Sequence, residues 1–286
     1  MLNKKVNIVF FIGALLIAIT SFWGAIQIFN VDFINTLDIR GNIIEIQASG
    51  IYAYNISSLF IEGVGWDIAR LLLLPLLIIS YLKYRKGSIK WTVILFGLLV
   101  NFIYQYFLWA LTWAYNDLFL MYCLLVPILA IVLFDVLKFV LQNLSLNHIN
   151  PFPYIKLANF SLTLSVLIGI LWLSEIVPSI TSGNLPLKFT GVNTLVVQAI
   201  DITVILPVAI FTFTALRKQK RIGVILSPII IITFLSLSTA IIAGTVLSGL
   251  IVGGLDIVGL IIFILIAALD VYFLKRLLLS IKSTVV

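Results

Sequence analysis

Long apolar runs alternate with short polar stretches along the chain, and the alternation occurs eight times. The runs lie at about residues 6–29, 64–83, 91–112, 117–138, 156–177, 197–216, 222–247 and 255–275. A helix of roughly 20 residues crosses the hydrocarbon core of a bilayer and satisfies its own backbone there. The pattern therefore predicts an all-α, polytopic transmembrane bundle of eight spans. The polar segment 30–63 is mixed in character and carries Asp32, Asp38, Glu45, Glu62, Tyr52, Tyr54 and Asn55. It predicts a small ordered outer cap rather than a domain. The segment 178–196 carries Pro178, Gly183, Pro186 and Gly191, which signal turns.

Composition agrees with this pattern. Of 286 residues, 62% are hydrophobic and 10% are charged, with a mean hydropathy of +1.23. A soluble chain carries about 25% charged residues, so most of this surface must face lipid. The net charge of +7 does not point to nucleic acid, because the basic residues sit in short clusters between apolar runs. With eight spans, 15 of the 18 basic residues fall on one face. Only Arg40, Arg70 and Lys188 fall on the other. Basic residues mark the cytoplasmic side of a membrane protein, which predicts a cell-membrane protein with both termini in the cytoplasm. Lys4 and Lys5 before the first run resemble the start of a signal peptide, but the run is longer than such a segment needs and reads as a retained helix. No linker or charge block divides residues 1–286, so they form a single integral membrane domain.

The two halves share features. Asp67-Ile68, Pro75 and the basic turn from Lys83 to Lys90 have counterparts in Asp201-Ile202, Pro207 and the basic turn from Arg217 to Arg221. This spacing points to a parallel repeat of four helices, residues 1–150 and 151–286.

Depth follows from counting outward from the basic anchors. Asp67 lies four residues inside the outer boundary, roughly 6 Å deep, and Arg70 roughly 10 Å deep. Asp201 matches the depth of Asp67. Asp117 and Asp256 fall at outer helix starts, where free N–H groups favour a carboxylate. Arg70 can pair with Asp67 one turn away. Glu175 stands at the outer end of the fifth span, where the helix dipole disfavours it. It reads either as a wetted surface acid or as a partner for Arg70. In the third span, Asn101, Gln105 and Trp109 share a face, with Tyr104 beside them; such amides bond neighbouring helices or line a pocket. Asp135 and Asp270 read as inner-surface acids compensated by Lys138 and Lys275. Together, Asp67, Arg70, Asn101, Tyr104, Gln105, Glu175 and Asp201 are the candidate binding residues.

Other chemistries lack their signatures. There is no HExxH, no Walker A loop and no plausible Ser-His pair, since His148 sits alone in an inner loop. Cys123 is the single cysteine, so an intrachain disulfide is ruled out. No metal or cofactor is expected, and the expected surroundings are the lipid bilayer with a membrane-protein partner or a second copy of the chain. Asn55-Ile56-Ser57 is a formal glycosylation sequon.

Trp66-Asp67, Tyr104-Gln105-Tyr106, Asn116-Asp117-Leu118-Phe119 with Tyr122, the run from Leu171 to Pro178, and Asp201-Ile202 through Pro207 form a further set of stretches. They resemble an uncharacterised family of prokaryotic multi-pass membrane proteins with no assigned activity. The resemblance covers roughly residues 60 to 248; residues 1 to 60 and the last span lie outside it. It implies the same membrane topology and singles out the same acids, but supplies no reaction. Three functions are compatible with these features: a small-molecule or ion permease with an outward-facing polar site, a non-catalytic sensor, assembly factor or scaffold, and an intramembrane enzyme acting on a lipid or quinone. The enzyme would need Asp67, Glu175 and Asp201 to converge.

Overall fold

The computed structural model describes residues 4–145, 149–150, 153–183, 192 and 194–282. Eight helices in it are long and apolar enough to cross a membrane. They are α1 (Lys4–Ala25, prolonged by a 3-10 turn at Ile26–Phe29), α2 (Ser57–Tyr84), α3 (Ile89–Thr112), α4 (Phe119–Asn143), α5 (Tyr154–Ser182), α6 (Val196–Arg217), α7 (Arg221–Ile251) and α8 (Ile257–Ser280). The chain is a multi-pass membrane protein with an all-α bundle. His148, Pro186, Lys188 and Gly191 lie outside the described residues.

The helices run past the apolar runs that mark them. α2 begins at Ser57, seven residues before its hydropathy boundary. At 1.5 Å per residue its 28 residues span about 42 Å, more than the hydrocarbon needs, so its first two turns belong to the cap. Asp256 caps α8 by accepting a hydrogen bond from the Gly259 N–H at 2.9 Å, as its position at a helix start leads one to expect.

The cap is a β-hairpin, β1 (Phe33–Leu37) against β2 (Ile43–Gln47), antiparallel with Phe33 opposite Gln47 and Leu37 opposite Ile43. Asp38 closes its turn by accepting from the N–H groups of Arg40 and Asn42 at 2.8 and 2.9 Å, and Gly41 supplies the left-handed residue at φ +83°. After the hairpin the chain dips inward. Tyr52 is fully buried, and Asn55 uses its amide oxygen to accept from the Ala114 N–H at 2.8 Å. Its amide nitrogen donates to the Tyr52 carbonyl at 3.1 Å. The sequon at Asn55 is thereby structural, with its side chain committed to holding the cap on the α3–α4 connection.

In lipid, helices associate through close packing and hydrogen bonds rather than through the hydrophobic effect, so small residues mark the contacts. α3 and α7 are the most enclosed helices. A Cβ on Gly97 of α3 would lie 2.7 Å from Pro228 of α7, and one on Gly65 of α2 would lie 2.5 Å from the Ala240 carbonyl oxygen of α7. α1 closes the other side against α2 and α4. There Phe10 stacks on Tyr81 with ring centroids 3.5 Å apart, and the Thr20 hydroxyl lies 2.8 Å from the Tyr106 hydroxyl. α6 and α8 flank α7, and α5 packs on α6. Leu164, Ala209, Ile230 and Phe234 form a second, smaller apolar cluster there, with Ile266 of α8 packed on it.

Candidate binding cavity and buried ion pair

α6 is regular except at one place. A π-helical turn occupies Asp201–Ile205, just before Pro207, whose ring carries no N–H to donate. Single π turns re-aim side chains and recur at functional sites. Here the turn carries Asp201. One carboxylate oxygen accepts from the Tyr104 hydroxyl of α3 at 2.6 Å, and the other accepts from the Trp172 indole N–H of α5 at 3.0 Å. Three helices thus meet on one acid.

Asp201 lies on the wall of a cavity of about 420 Å³ enclosed by α2, α3, α5, α6, α7 and α8. The lining is largely apolar and aromatic, with Trp66, Trp113, Trp172, Tyr104, Phe234 and Phe263 as its large rings. Its acids are Asp201 and Glu62, and none of its described lining residues is basic. Glu62 accepts from the Trp66 indole N–H at 3.3 Å. Beyond Glu62, at the hairpin end, lies a second space of about 530 Å³, lined by β2, the start of α2 and the start of α6. The two share Ser58, Glu62, Trp172 and Val197. They read as a vestibule and an inner chamber, with Glu62 and Trp172 at the passage.

Asp67 and Arg70 form a different site. Neither lines the chamber. They pair with each other at 3.1 Å, with side chains 2% and 0% exposed. Asp67 also accepts a hydrogen bond from the Tyr52 hydroxyl, so the cap reaches down to the ion pair. Burial first, and then the adjacent Asp67 carboxylate, hold the Tyr52 phenol well above its ordinary range. It stays a donor. Gly24 makes the approach feasible, because a Cβ there would lie 1.6 Å from an Asp67 carboxylate oxygen. The Arg70 guanidinium lies over the Trp109 ring at 3.9 Å and the Tyr106 ring at 4.9 Å. Trp109 in turn stacks on Trp113 at 3.8 Å, and Trp113 belongs to the chamber wall. The ion pair therefore sits behind the chamber, separated from it by a layer of tryptophan.

The remaining sequence candidates separate further. Gln105 is buried and donates to the Ser236 hydroxyl of α7 at 2.8 Å, which ties the two central helices. Asn101 is fully buried, and neither of its amide atoms meets a partner among the described residues. Glu175 is half-buried on α5 and lines neither space. Asp270 departs most from its reading as an inner-surface acid. It is fully buried, and neither carboxylate oxygen has a hydrogen-bond partner among the described residues. Lys275 cannot compensate it from five residues on, because that spacing turns about 140° around the helix. Asp135 accepts from the Tyr84 hydroxyl at 2.7 Å and makes no ion pair with Lys138.

Of the seven residues singled out in the sequence, Tyr104 and Asp201 line the chamber. Glu62, Trp66, Trp113 and Trp172 were not among them. The sequence held a signal for Trp172, one turn before Glu175, but an outer tryptophan reads equally as an interfacial anchor. Comparison with family models, curated proteins and solved structures gives no match for the chain, so the site is interpreted from its own geometry.

Proposed function

We propose that this protein is a permease for small organic cations with an apolar body, which load from the hairpin end. The supporting observation is the charge of the chamber: an apolar, aromatic space whose wall carries two carboxylates and, among its described lining residues, no cation. Asp201 is fixed by two donors, but both are neutral, so its negative charge remains for a ligand to balance. Aromatic faces add cation–π attraction of about 0.5–2 kcal/mol each. A volume of about 420 Å³ lies in the range of small-molecule sites, roughly 300–1,000 Å³. Glu45 in the vestibule extends the negative potential outward and raises the local concentration of cations.

This reading narrows the broader one of a small-molecule or ion permease. It keeps Asp201 and Tyr104 in the site and leaves the Asp67–Arg70 pair outside it. The intramembrane-enzyme reading needs Asp67, Glu175 and Asp201 together, whereas Asp67 is engaged with Tyr52 and Arg70, and Asp201 with Tyr104 and Trp172. The test is uptake of benzyltrimethylammonium into proteoliposomes. Saturable uptake that Asp201→Asn abolishes supports the proposal. Uptake at the rate of protein-free vesicles contradicts it.

A further inference from the structure

Asp270 is used neither by the chamber nor by the ion pair. Its depth follows from contacts across three helix pairs. Phe160 of α5 stacks on Phe273 of α8 at 4.8 Å; these helices are antiparallel, so Asp270 is level with residue 163. Leu164 shares one apolar cluster with Ile230 and Phe234 of α7, which runs parallel to α5, so that level falls near residue 231. Gly97 meets Pro228, and Gln105 bonds Ser236 across a separation of 131 residues. The same separation places Asn101 beside Ile232. Asp270 and Asn101 thus lie within about one residue of the same level, roughly 1.5 Å, in helices that touch each other. Asn101 is halfway along α3. Both side chains are fully buried, and all four of their polar atoms lack partners among the described residues. The buried Ser161 hydroxyl, two residues from the same level on α5, also lacks one. Thr233, two residues from the level on α7, lines the chamber.

We propose that Asp270 is a proton-binding site in the middle of the membrane, reached from the floor of the chamber. An ionised carboxylate in the bilayer interior requires a counter-charge or several donors. The charged groups on the surrounding helices are Lys90 on α3, Lys156 and Glu175 on α5, Asp201 and Arg217 on α6, Arg221 on α7, and Lys275 and Arg276 on α8. Their tyrosines are Tyr104 and Tyr106, Tyr154, and Tyr272. Among the described residues, none of these groups pairs with Asp270. The neutral acid is the form that fits such a place. The step changes no oxidation state. Water in the chamber, as hydronium, gives a proton to a carboxylate oxygen, an O–H bond forms, and neutral water remains; release is the reverse. Asn101, with an amide that both donates and accepts, is the partner placed to relay or hold that proton. Intramembrane acids with this setting recur as proton relays.

The site does not depend on the permease reading, and its test reads the carboxyl group directly. The full-length protein in liposomes is followed by infrared spectroscopy as pH is raised. The expected result is a carbonyl stretch of a protonated carboxyl at neutral pH that shifts in D2O and disappears reversibly on the alkaline side. It is absent in Asp270→Asn and kept in Asp67→Asn and Asp201→Asn. Asp270→Glu, which retains the acid, moves the band rather than removing it, and gives the same answer if the asparagine variant does not assemble. The proposal is overturned if no Asp270-dependent band exists at neutral pH, or if the band never titrates. It is also overturned if sodium or lithium removes the band at fixed pH, since the carboxylate would then hold a metal ion.

Discussion

The buried Asp67–Arg70 pair gives the sharpest stability prediction. Both side chains are almost fully shielded, so removing one partner leaves the other as an uncompensated buried charge. That costs about 3–5 kcal/mol. Arg70→Met also removes the guanidinium from the faces of Trp109 and Tyr106, so it belongs at the upper end. Asp67→Asn keeps an acceptor for Tyr52 and belongs at the lower end. The double variant carries neither charge. Its Tyr52 hydrogen bond falls from a charge-assisted one, worth about 1.5–3 kcal/mol, to a neutral one of about 0.5–1.5 kcal/mol, and nothing is stranded. The sum of the single effects should therefore exceed the double effect by about 2 kcal/mol or more. The assay is unfolding of the purified protein in mixed micelles titrated with denaturing detergent, run as a double-mutant cycle. Additivity within about 0.5 kcal/mol would refute the reasoning, because it would mean that the two charges are already separated by water.

Other substitutions test the packing and the topology. Gly65→Ala and Gly97→Ala should each cost about 1–3 kcal/mol, because their new methyl groups meet the Ala240 carbonyl and the Pro228 ring inside 3 Å. Gly244→Ala, whose nearest neighbours lie at 3.7 Å, should be nearly neutral in the same unfolding assay. For orientation, Cys123→Ala clears the single cysteine. Ile39→Cys, in the hairpin turn, should then react with a membrane-impermeant maleimide on intact cells. Lys86→Cys, between α2 and α3, should react only after permeabilisation; the reverse result would invert the topology.

Counting from the basic anchors assigns Asp67 and Asp201 one depth but no direction. Each accepts a hydrogen bond from a tyrosine, Asp67 in a buried cluster and Asp201 in a half-buried one. Counting along a helix gives one coordinate, however. Which way a side chain faces depends on which helices become neighbours, and α2 and α6 carry the two acids to separate sites. Hydropathy begins the second span near residue 64 and so leaves Glu62 in the outer cap, whereas the helix begins at Ser57. Polar first turns escape any apolar criterion. Asp270 was matched to Lys275 by proximity in sequence, although an interval of five residues puts them on different faces. The stripe of Asn101, Gln105 and Trp109 was legible as one buried face, and all three are enclosed. Its partners, Ser236 and Arg70, became visible only with the tertiary packing. The π turn at Asp201 left no trace in the sequence beyond Pro207.

The negatively charged aromatic chamber is the centre of this account, and a direct binding measurement tests it. Benzyltrimethylammonium and the anion benzenesulfonate, which also presents one aromatic ring, are titrated calorimetrically into the purified protein. At about 4 Å and an effective dielectric constant near 20, one carboxylate attracts a cation by about 4 kcal/mol before desolvation is subtracted. A net loss of at least about 1.4 kcal/mol, or tenfold, is therefore expected for Asp201→Asn. The predicted result is binding of the cation alone, weakened tenfold or more in Asp201→Asn and unchanged in Asp67→Asn. Equal binding of cation and anion, or no effect of Asp201→Asn on cation affinity, would contradict it.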